Sequence, residues 1–280
     1  MSEENGFDAL VPAAIAQRAE TVGIRKAQTP TFQLFVLSIL AGAFIAMGAV
    51  FATTVSAGTS GALPYGVTRF LMGLAFCLGL TLVVLAGAEL FTGNNLIIMA
   101  WANKKITTGA LLRNWGIVYL GNFVGSIATA LLMIASKQYA FGAGAVGKVA
   151  LGTAVAKVNL GFGQAIALGI FCNALVCLAV WLCYGAHSTV DKIVAIILPI
   201  TAFVAAGFEH SVANMYYIPF GLFLKALDPA FVATTEVATD SLTWGSFLLK
   251  NLLPVTIGNI IGGAFLVVIV YWSVYLKDRH

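Results

Sequence analysis

Residues 87–94 read Gly-Ala-Glu-Leu-Phe-Thr-Gly-Asn, and residues 207–214 read Gly-Phe-Glu-His-Ser-Val-Ala-Asn. Both fit the pattern Gly-x-Glu-x-x-x-x-Asn, and they stand 120 positions apart (207 − 87). Each interrupts a long apolar stretch, at 66–104 and 190–225, with a carboxylate among small and polar residues. An ionisable side chain in such a stretch is costly and indicates a functional position. The two stretches therefore predict membrane spans that stop and restart.

The composition of the chain excludes a soluble fold. Hydrophobic residues make up 60% of the 280 residues and charged residues only 9%, and the mean hydropathy is +0.95. A soluble domain carries about 25% charged residues. The net charge of +4 is small and scattered, which disfavours a nucleic-acid partner and fits the basic loops of a protein embedded in lipid.

Apolar segments of membrane-spanning length define the rest of the chain. A helical span needs about 20 predominantly apolar residues. Uninterrupted candidates lie at 32–54, 112–135, 162–184 and 247–275. Together with the two interrupted stretches they predict an all-α integral membrane protein with six spans, of which the second and fifth are broken.

Further matches between the two halves indicate an internal duplication. Residues 114–125 and 251–262 both fit Asn-x6-Gly-Asn-x2-Gly, and residues 42–44 and 169–171 share a weaker Gly-x-Phe. Three matches in the same order predict a three-plus-three repeat. Because each half has three spans, the second half enters the membrane from the opposite side, which is the inverted repeat of many channels and transporters.

These matches set the predicted domain organisation. We expect a single transport domain over residues 1–280, with the first repeat at 32–135 and the second at 162–275. Residues 1–31 carry no apolar core of a signal peptide. Apolar residues there recur at helical spacing and predict an amphipathic N-terminal helix: Phe7, Leu10, Val11, Ala14 and Ile15. A surface helix and a gate of the pathway both stay open as its role.

The distribution of basic residues predicts the orientation. Lysine and arginine cluster before the first span, around the second–third loop and after the last span: Arg18, Arg25, Lys26, Lys104, Lys105, Arg113, Lys277 and Arg279. The bias predicts that both termini are cytoplasmic. The third–fourth loop is the exception, because it is predicted outside yet holds Lys137, Lys148 and Lys157. Attraction of anions and simple tolerance of these lysines both stay open.

The breaks favour an anion or a polar neutral solute. The half-helices predicted at 93–104 and 212–225 begin near the membrane centre, where their amides create a positive potential without lysine or arginine. Glu89 and Glu209 are expected to accept hydrogen bonds from those amides and so hold each break together. Structural roles at the breaks are also expected for Asn94, Asn214 and Asn259.

His210 occupies the position that is Leu90 in the first half. Histidine titrates near physiological pH and donates hydrogen bonds or protons. The residue is therefore a candidate for solute contact, although a histidine that only bridges backbone groups fits as well. Thr92 offers a hydroxyl at the other break. Apolar residues close to the breaks are candidates for a constriction or for ordinary packing: Phe76, Leu80, Leu90, Phe91 and Phe203.

The sequence disfavours an enzyme, a cofactor and a metal. The four cysteines lie in apolar stretches without Cys-x-x-Cys pairing, which is typical of buried small hydrophobes: Cys77, Cys172, Cys177 and Cys183. A membrane redox enzyme needs paired intramembrane histidines or a cysteine cluster, and among His187, His210 and His280 only His210 lies in a predicted span. The lack of an Asn-Pro-Ala box disfavours an ordinary water or glycerol channel.

Residues 87–93, 207–215 and 251–263 closely resemble the formate/nitrite transporter family. The resemblance runs nearly end to end and is strongest to formate channels of that family. It implies an aquaporin-like fold, a homopentamer with one pore per subunit, and transport of formate across the bacterial inner membrane. Nitrite and hydrosulfide channels share the central motif and stay open as alternatives, as does a proton-coupled formate symporter.

The resemblance also implies roles by position. Leu80 and Leu90 match a cytoplasmic constriction, and Phe76 and Phe203 match an outer one. Thr92 matches a position on a mobile loop, and His210 matches a central histidine. Lys157 matches a lysine near the outer vestibule, and Asn173 matches a pore-side amide. Gly93-Asn94-Asn95 replaces the small hydroxyl residues expected of a formate channel. We hypothesise that transient protonation at His210 lets formate cross as neutral formic acid.

Overall fold

The computed structural model describes residues 9–277, and within that range every regular element is helical. The predicted positions Phe7, Arg279 and His280 lie outside the described residues. The helices are α1 (Pro12–Gln28), α2 (Thr31–Ser56), α3 (Tyr65–Leu85), α4 (Ile98–Ala102), α5 (Thr108–Ala135), α6 (Ala145–Val158), α7 (Phe162–Gly185), α8 (Thr189–Ala206), α9 (Ser211–Leu227), α10 (Pro229–Thr234) and α11 (Ser246–Tyr275). Short 3₁₀ turns lie at Gly93–Ile97 and Gln138–Ala140.

Six helices within the described residues are long and apolar enough to cross a membrane: α2, α3, α5, α7, α8 and α11. The six-span all-α prediction is therefore confirmed. The second and fifth spans, α3 and α8, stop at Leu85 and Ala206 and are followed by non-helical residues before the chain turns helical again. Both predicted breaks are thus present.

Glycine brings the spans of each half into close contact. On α5, a Cβ added to Gly125 would overlap the Ile39 carbonyl of α2. On α11, a Cβ added to Gly262 would overlap the Ile170 carbonyl of α7 in the same way. Small residues allow such backbone approach where apolar lipid supplies no force between helices. The glycines of the repeated Asn-x6-Gly-Asn-x2-Gly motif therefore serve equivalent helix crossings.

The structure adds one helix to each half of the repeat. Helices α1 and α6 precede the first spans of the two halves, and Lys26 and Lys157 each stand five residues before those spans begin (31 − 26 and 162 − 157). Helix α6 lies in a segment that the sequence predicts as a loop. Helix α1 buries Ile15, Ala19 and Gly23 and exposes Gln17, Thr21 and Arg25, so one face packs against the protein, as expected for an amphipathic helix.

Polar contacts place the two described ends of the polypeptide at the same end of the bundle. The Asn103 Nδ2 after α4 donates to the Glu20 carboxylate of α1 at 2.9 Å, and the Trp272 Nε1 of α11 donates to the Asn103 Oδ1 at 2.6 Å. An even number of spans requires this arrangement.

Substitution of Gly125 by alanine tests the close crossing of α2 and α5. The new methyl group would overlap backbone that cannot move aside easily, so the free energy of unfolding should fall by about 1–3 kcal/mol. Thermal unfolding in detergent would measure the loss. Gly116→Ala on the same helix is the matched control, because a Cβ there meets no atom within 4 Å. Equal stability of the two variants would contradict the packing argument.

Candidate functional site

The two breaks meet at a contact between His210 and Thr92. The His210 Nε2 lies 2.9 Å from the Thr92 hydroxyl oxygen, although the residues are 118 positions apart. Both side chains are buried. The structure therefore joins the two polar residues that the sequence placed at separate breaks.

The second ring nitrogen of His210 caps helix α9. Its Nδ1 accepts a hydrogen bond from the Ala213 amide at 3.0 Å, so the neutral ring carries its proton on Nε2. That proton points at the Thr92 oxygen, and the Thr92 hydroxyl hydrogen is left for another acceptor. The histidine does bridge to the backbone, but only through one nitrogen. A solute that displaced this contact would meet two hydrogen-bond donors.

Phenylalanines close one side of this centre, which the sequence predicts to be the outer side. The Phe203 ring stacks on the His210 ring with centroids 5.9 Å apart, and Phe76 meets Phe203 edge-on at 5.6 Å. All three residues line an outer cavity of about 480 Å³, together with Lys157 and Glu209. The phenylalanines predicted for an outer constriction are therefore neighbours of the histidine.

Leucines occupy the corresponding place on the opposite side, which the sequence predicts to be the inner side. Leu80 and Leu90 are both 2% exposed and line an inner cavity of about 460 Å³. Its wall also carries basic residues of α1 and α8: Arg18, Arg25, Lys26 and Lys192. Among the described residues, Thr92 lines neither of these two cavities. It lies between them.

Glu89 is held by an ion pair and side-chain amides. The Lys26 ammonium donates to its carboxylate at 2.7 Å, and the Asn94 Nδ2 donates at 2.8 Å. Asn94 also donates to Asn114 Oδ1, and Asn114 donates to the Lys26 carbonyl at 3.0 Å. The cluster ties α1, the first break and α5 together.

Glu209 has the same set of partners in the second half. The Lys157 ammonium donates to its carboxylate at 2.7 Å, and the Asn214 Nδ2 donates at 2.7 Å. Asn251 donates to the Lys157 carbonyl at 2.9 Å. Here the cluster ties α6, the second break and α11 together.

These clusters correct the expected role of backbone amides. The carboxylates are held by lysine and asparagine side chains, because other asparagines already take the backbone groups of the breaks. Asn122 accepts from the Phe91 amide and donates to the Glu89 carbonyl, both at 2.9 Å. Asn259 does the same with the Ser211 amide and the Glu209 carbonyl, also at 2.9 Å. Each break also has a lysine that the sequence pattern did not place there.

The two restarts differ from each other. Helix α9 is a regular 17-residue helix that begins at the capping His210. The first restart is instead a 3₁₀ turn, Gly93–Ile97, followed by the five residues of α4, and Thr92 does not cap it. Within this turn the Asn95 side chain donates to the Phe91 carbonyl at 3.0 Å. The half-helix predicted at 93–104 is therefore present over residues 93–102, although its first turn is 3₁₀ rather than α.

Phe91 and Asn173 lie away from both cavities. The Phe91 ring packs edge-on against Tyr119 at 4.9 Å and against Trp115 at 5.8 Å. The Asn173 Nδ2 donates to the Asn259 carbonyl at 2.7 Å. In this geometry both residues support the walls of the breaks, and a direct contact with solute stays a prediction.

Lys26 and Arg69 are the site residues that sequence reasoning missed. Lys26 entered it only as a sign of orientation, although its spacing from the first span equals that of Lys157 from the fourth. The repeat thus held the signal that pairs it with Glu89. Arg69 lines the outer cavity beside Phe203 and His210, and no pattern in the sequence singled it out.

Substitution of Glu209 by glutamine tests the buried ion pair. The side chains of Lys157 and Glu209 are 15% and 6% exposed, so the change leaves an ammonium buried without its counter-ion. Such a loss costs about 3–5 kcal/mol, and thermal unfolding of the purified protein should show it.

Glu236→Gln is the matched control. Its partner Lys148 lies 3.8 Å away, and both side chains are largely exposed, so stability should change by less than about 0.5 kcal/mol. Similar losses in both variants would rule out a special role for the buried pair.

Comparisons with known proteins identify the family of the chain. The family described as "Formate/nitrite transporter" matches residues 13–273. The formate channel FocA of Escherichia coli (strain K12) is 44% identical over 283 positions, which cover 100% of this chain and 99% of that one. The formate channel FocA of Haemophilus influenzae is 40% identical, and the match covers 97% of this chain and 96% of that one.

Solved structures give the same result. A structure described as a pentameric formate channel with formate bound has a TM-score of 0.83 at 44% identity, and the match covers 88% of this chain and 98% of that chain. An FNT family ion channel has a TM-score of 0.79 at 29% identity and covers 93% and 98%. With six apolar helices, this chain is a multi-pass membrane protein, and it belongs to the formate/nitrite transporter family.

Proposed function

We propose that the protein is a channel that conducts formate across the membrane. The pairing of Thr92 with His210 carries the proposal, because the two side chains offer two hydrogen-bond donors to a solute that separates them where the two breaks meet. A small carboxylate has the acceptors that these donors need. The similarity to formate channels over the whole sequence, and to a pentameric channel with formate bound, supports formate as the solute.

Formate follows a path between the two cavities. From the outer cavity it passes Phe76 and Phe203, reaches His210 and Thr92, and leaves past Leu80 and Leu90 into the inner cavity. Apolar residues on both sides keep water and cations from the centre, while the donors there replace part of the hydration of the anion. Lys157 also lines the outer cavity, but its positive charge is offset by the ion pair with Glu209.

The geometry sets a condition for proton transfer at His210. A doubly protonated ring needs a hydrogen on Nδ1, and that nitrogen is occupied by the Ala213 amide. Protonation therefore has to weaken the cap of α9. Because a bare anion pays heavily to cross an apolar constriction, we propose that formate accepts a proton here and that the cost of loosening the cap is smaller than the cost of carrying the charge.

The remaining features follow from the same proposal. The protein is a homopentamer of single transport domains in the bacterial inner membrane, with both termini cytoplasmic, and it transports rather than catalyses. Each half extends from a lysine-bearing helix, α1 or α6, to the last span of its repeat. The basic residues that line the inner cavity fit a cytoplasmic location for that side.

Uptake of labelled formate and nitrite into proteoliposomes tests the solute. Formate flux should be fast, should exceed nitrite flux and should rise as the external pH falls, because acid supplies the proton. Single-channel current would separate a channel from a slow proton-coupled symporter. Nitrite uptake without formate uptake would leave the family intact but overturn the proposed substrate.

Replacement of His210 by asparagine tests proton transfer. Asparagine is a good helix N-cap residue, so α9 should still form while the titratable ring is lost. The increase of formate flux between about pH 7 and about pH 5 should then disappear. Thr92→Val is the comparison, since it removes a donor but keeps the ring, and it should lower flux while retaining the pH dependence. An unchanged pH profile in His210→Asn would exclude the ring as the proton donor.

A further inference from the structure

Helix α8 ends beside the outer cavity, where its last carbonyls need partners. The carbonyls at a helix C-terminus have no bond within the helix, and the following turn or a basic side chain can satisfy them. Gly207 turns the backbone away with a left-handed φ of 78°. Its amide bonds the Val204 carbonyl at 3.1 Å, and the Phe208 amide bonds the Phe203 carbonyl at 3.0 Å.

Arg69 of α3 supplies further donors to this helix end. Its Nε donates to the Ala205 carbonyl at 3.2 Å, and its Nη2 donates to the Val204 carbonyl. A Cβ added to Gly207 would lie 3.4 Å from the same Nη2. The guanidinium group therefore lies directly against the last turn of α8, in the arrangement of an arginine that caps a helix C-terminus.

The positive charge of Arg69 lies at the negative C-terminal end of the α8 dipole. An anion in the outer cavity would otherwise approach that negative end. A helix C-terminus is equivalent to about half a negative charge, and the end of α8 borders the outer cavity through Val204 and Gly207. Within residues 9–277 no carboxylate lies within 4 Å of Arg69, whereas Lys157 is paired with Glu209. Arg69 thus supplies positive charge that the lysine does not.

Arg69 also ties α3 to α8 beside the outer constriction. It stands seven residues before Phe76 on α3 (76 − 69), which places both on the same face of the helix. Phe203 directly precedes Val204 and Ala205, whose carbonyls Arg69 binds. Phe203 in turn contacts Phe76 and stacks on His210. A shift of the α8 end would therefore move the constriction and the histidine together.

We propose that Arg69 is a positioning residue of the pathway. It covers the negative end of α8 so that anions enter the outer cavity, and it holds Phe203 in place so that only small anions pass. The proposal rests on the formate channel proposed above and adds a determinant of anion entry and of anion size to it.

Arg69→Gln and Arg69→Lys separate the two effects. Formate flux is measured against external formate concentration in proteoliposomes, and flux of the bulkier acetate is measured beside it. Arg69→Gln should raise the half-saturating formate concentration about three- to fivefold and should raise the ratio of acetate to formate flux. Arg69→Lys should restore half-saturation, because the charge remains, but not the flux ratio, because an ammonium lacks the planar fork.

Arg113→Gln is the matched control. Arg113 also bonds a backbone carbonyl and a hydroxyl, those of Thr29 at 3.1 Å and Thr31 at 2.7 Å, yet it lines neither cavity described above. Its loss should leave both the half-saturation and the flux ratio at parental values. A change of the same size in this variant would show that any loss of an arginine cap has the effect, and would overturn the proposal.

Further outcomes decide the proposal in the same experiment. A folded Arg69→Gln protein with parental half-saturation and flux ratio overturns it. If Arg69→Gln does not fold, the flux ratio of Arg69→Lys decides. If the parent conducts no formate, the proposed function fails on its own. The structure of Arg69→Gln then decides, because displacement of residues 203–207 supports the positioning role and an unmoved segment refutes it.

Discussion

Backbone hydrogen bonding without water is the constraint on which this structure depends. A helix that stops inside a membrane frees amides and carbonyls that lipid cannot satisfy. Asn122 and Asn259 meet that need, because each carboxamide binds an amide and a carbonyl of one break at the same time. The broken spans, and everything placed at them, exist because neighbouring spans carry these side chains at the right depth.

Once the backbone groups at the breaks are hydrogen-bonded, the pseudo-symmetry of the two halves determines where function resides. The lysine, glutamate and asparagine clusters are closely matched between the halves. What differs is His210 against Leu90, and a regular α9 against a short 3₁₀ turn. The matched features hold the scaffold, whereas the unmatched features create a polar centre with leucine on one side and phenylalanine on the other.

The sequence predicted the fold more completely than the site. Hydropathy and the repeated motifs identified six spans, both breaks and the residues nearest to them, since each depends on local composition. The partners of Glu89 and Glu209 were not found, because Lys26 and Lys157 lie far away in sequence and reach the breaks only through packing of α1 and α6. Arg69 was missed for a similar reason. Its acceptors are backbone carbonyls, which every residue has and which therefore leave no pattern in the sequence.

The place of α1 within the repeat has a consequence for how the protein is made. Lys26 leaves the ribosome early, but Glu89, Asn94 and Asn114 follow long after it. The ammonium has no counter-ion until the second span and its break are made, and the groove for α1 is incomplete until α7 is in place, because Arg18 of α1 donates to the Tyr184 carbonyl at the end of α7. Helix α1 can therefore take its final place only after part of the second half is inserted, so the first helix to be made is among the last to be packed.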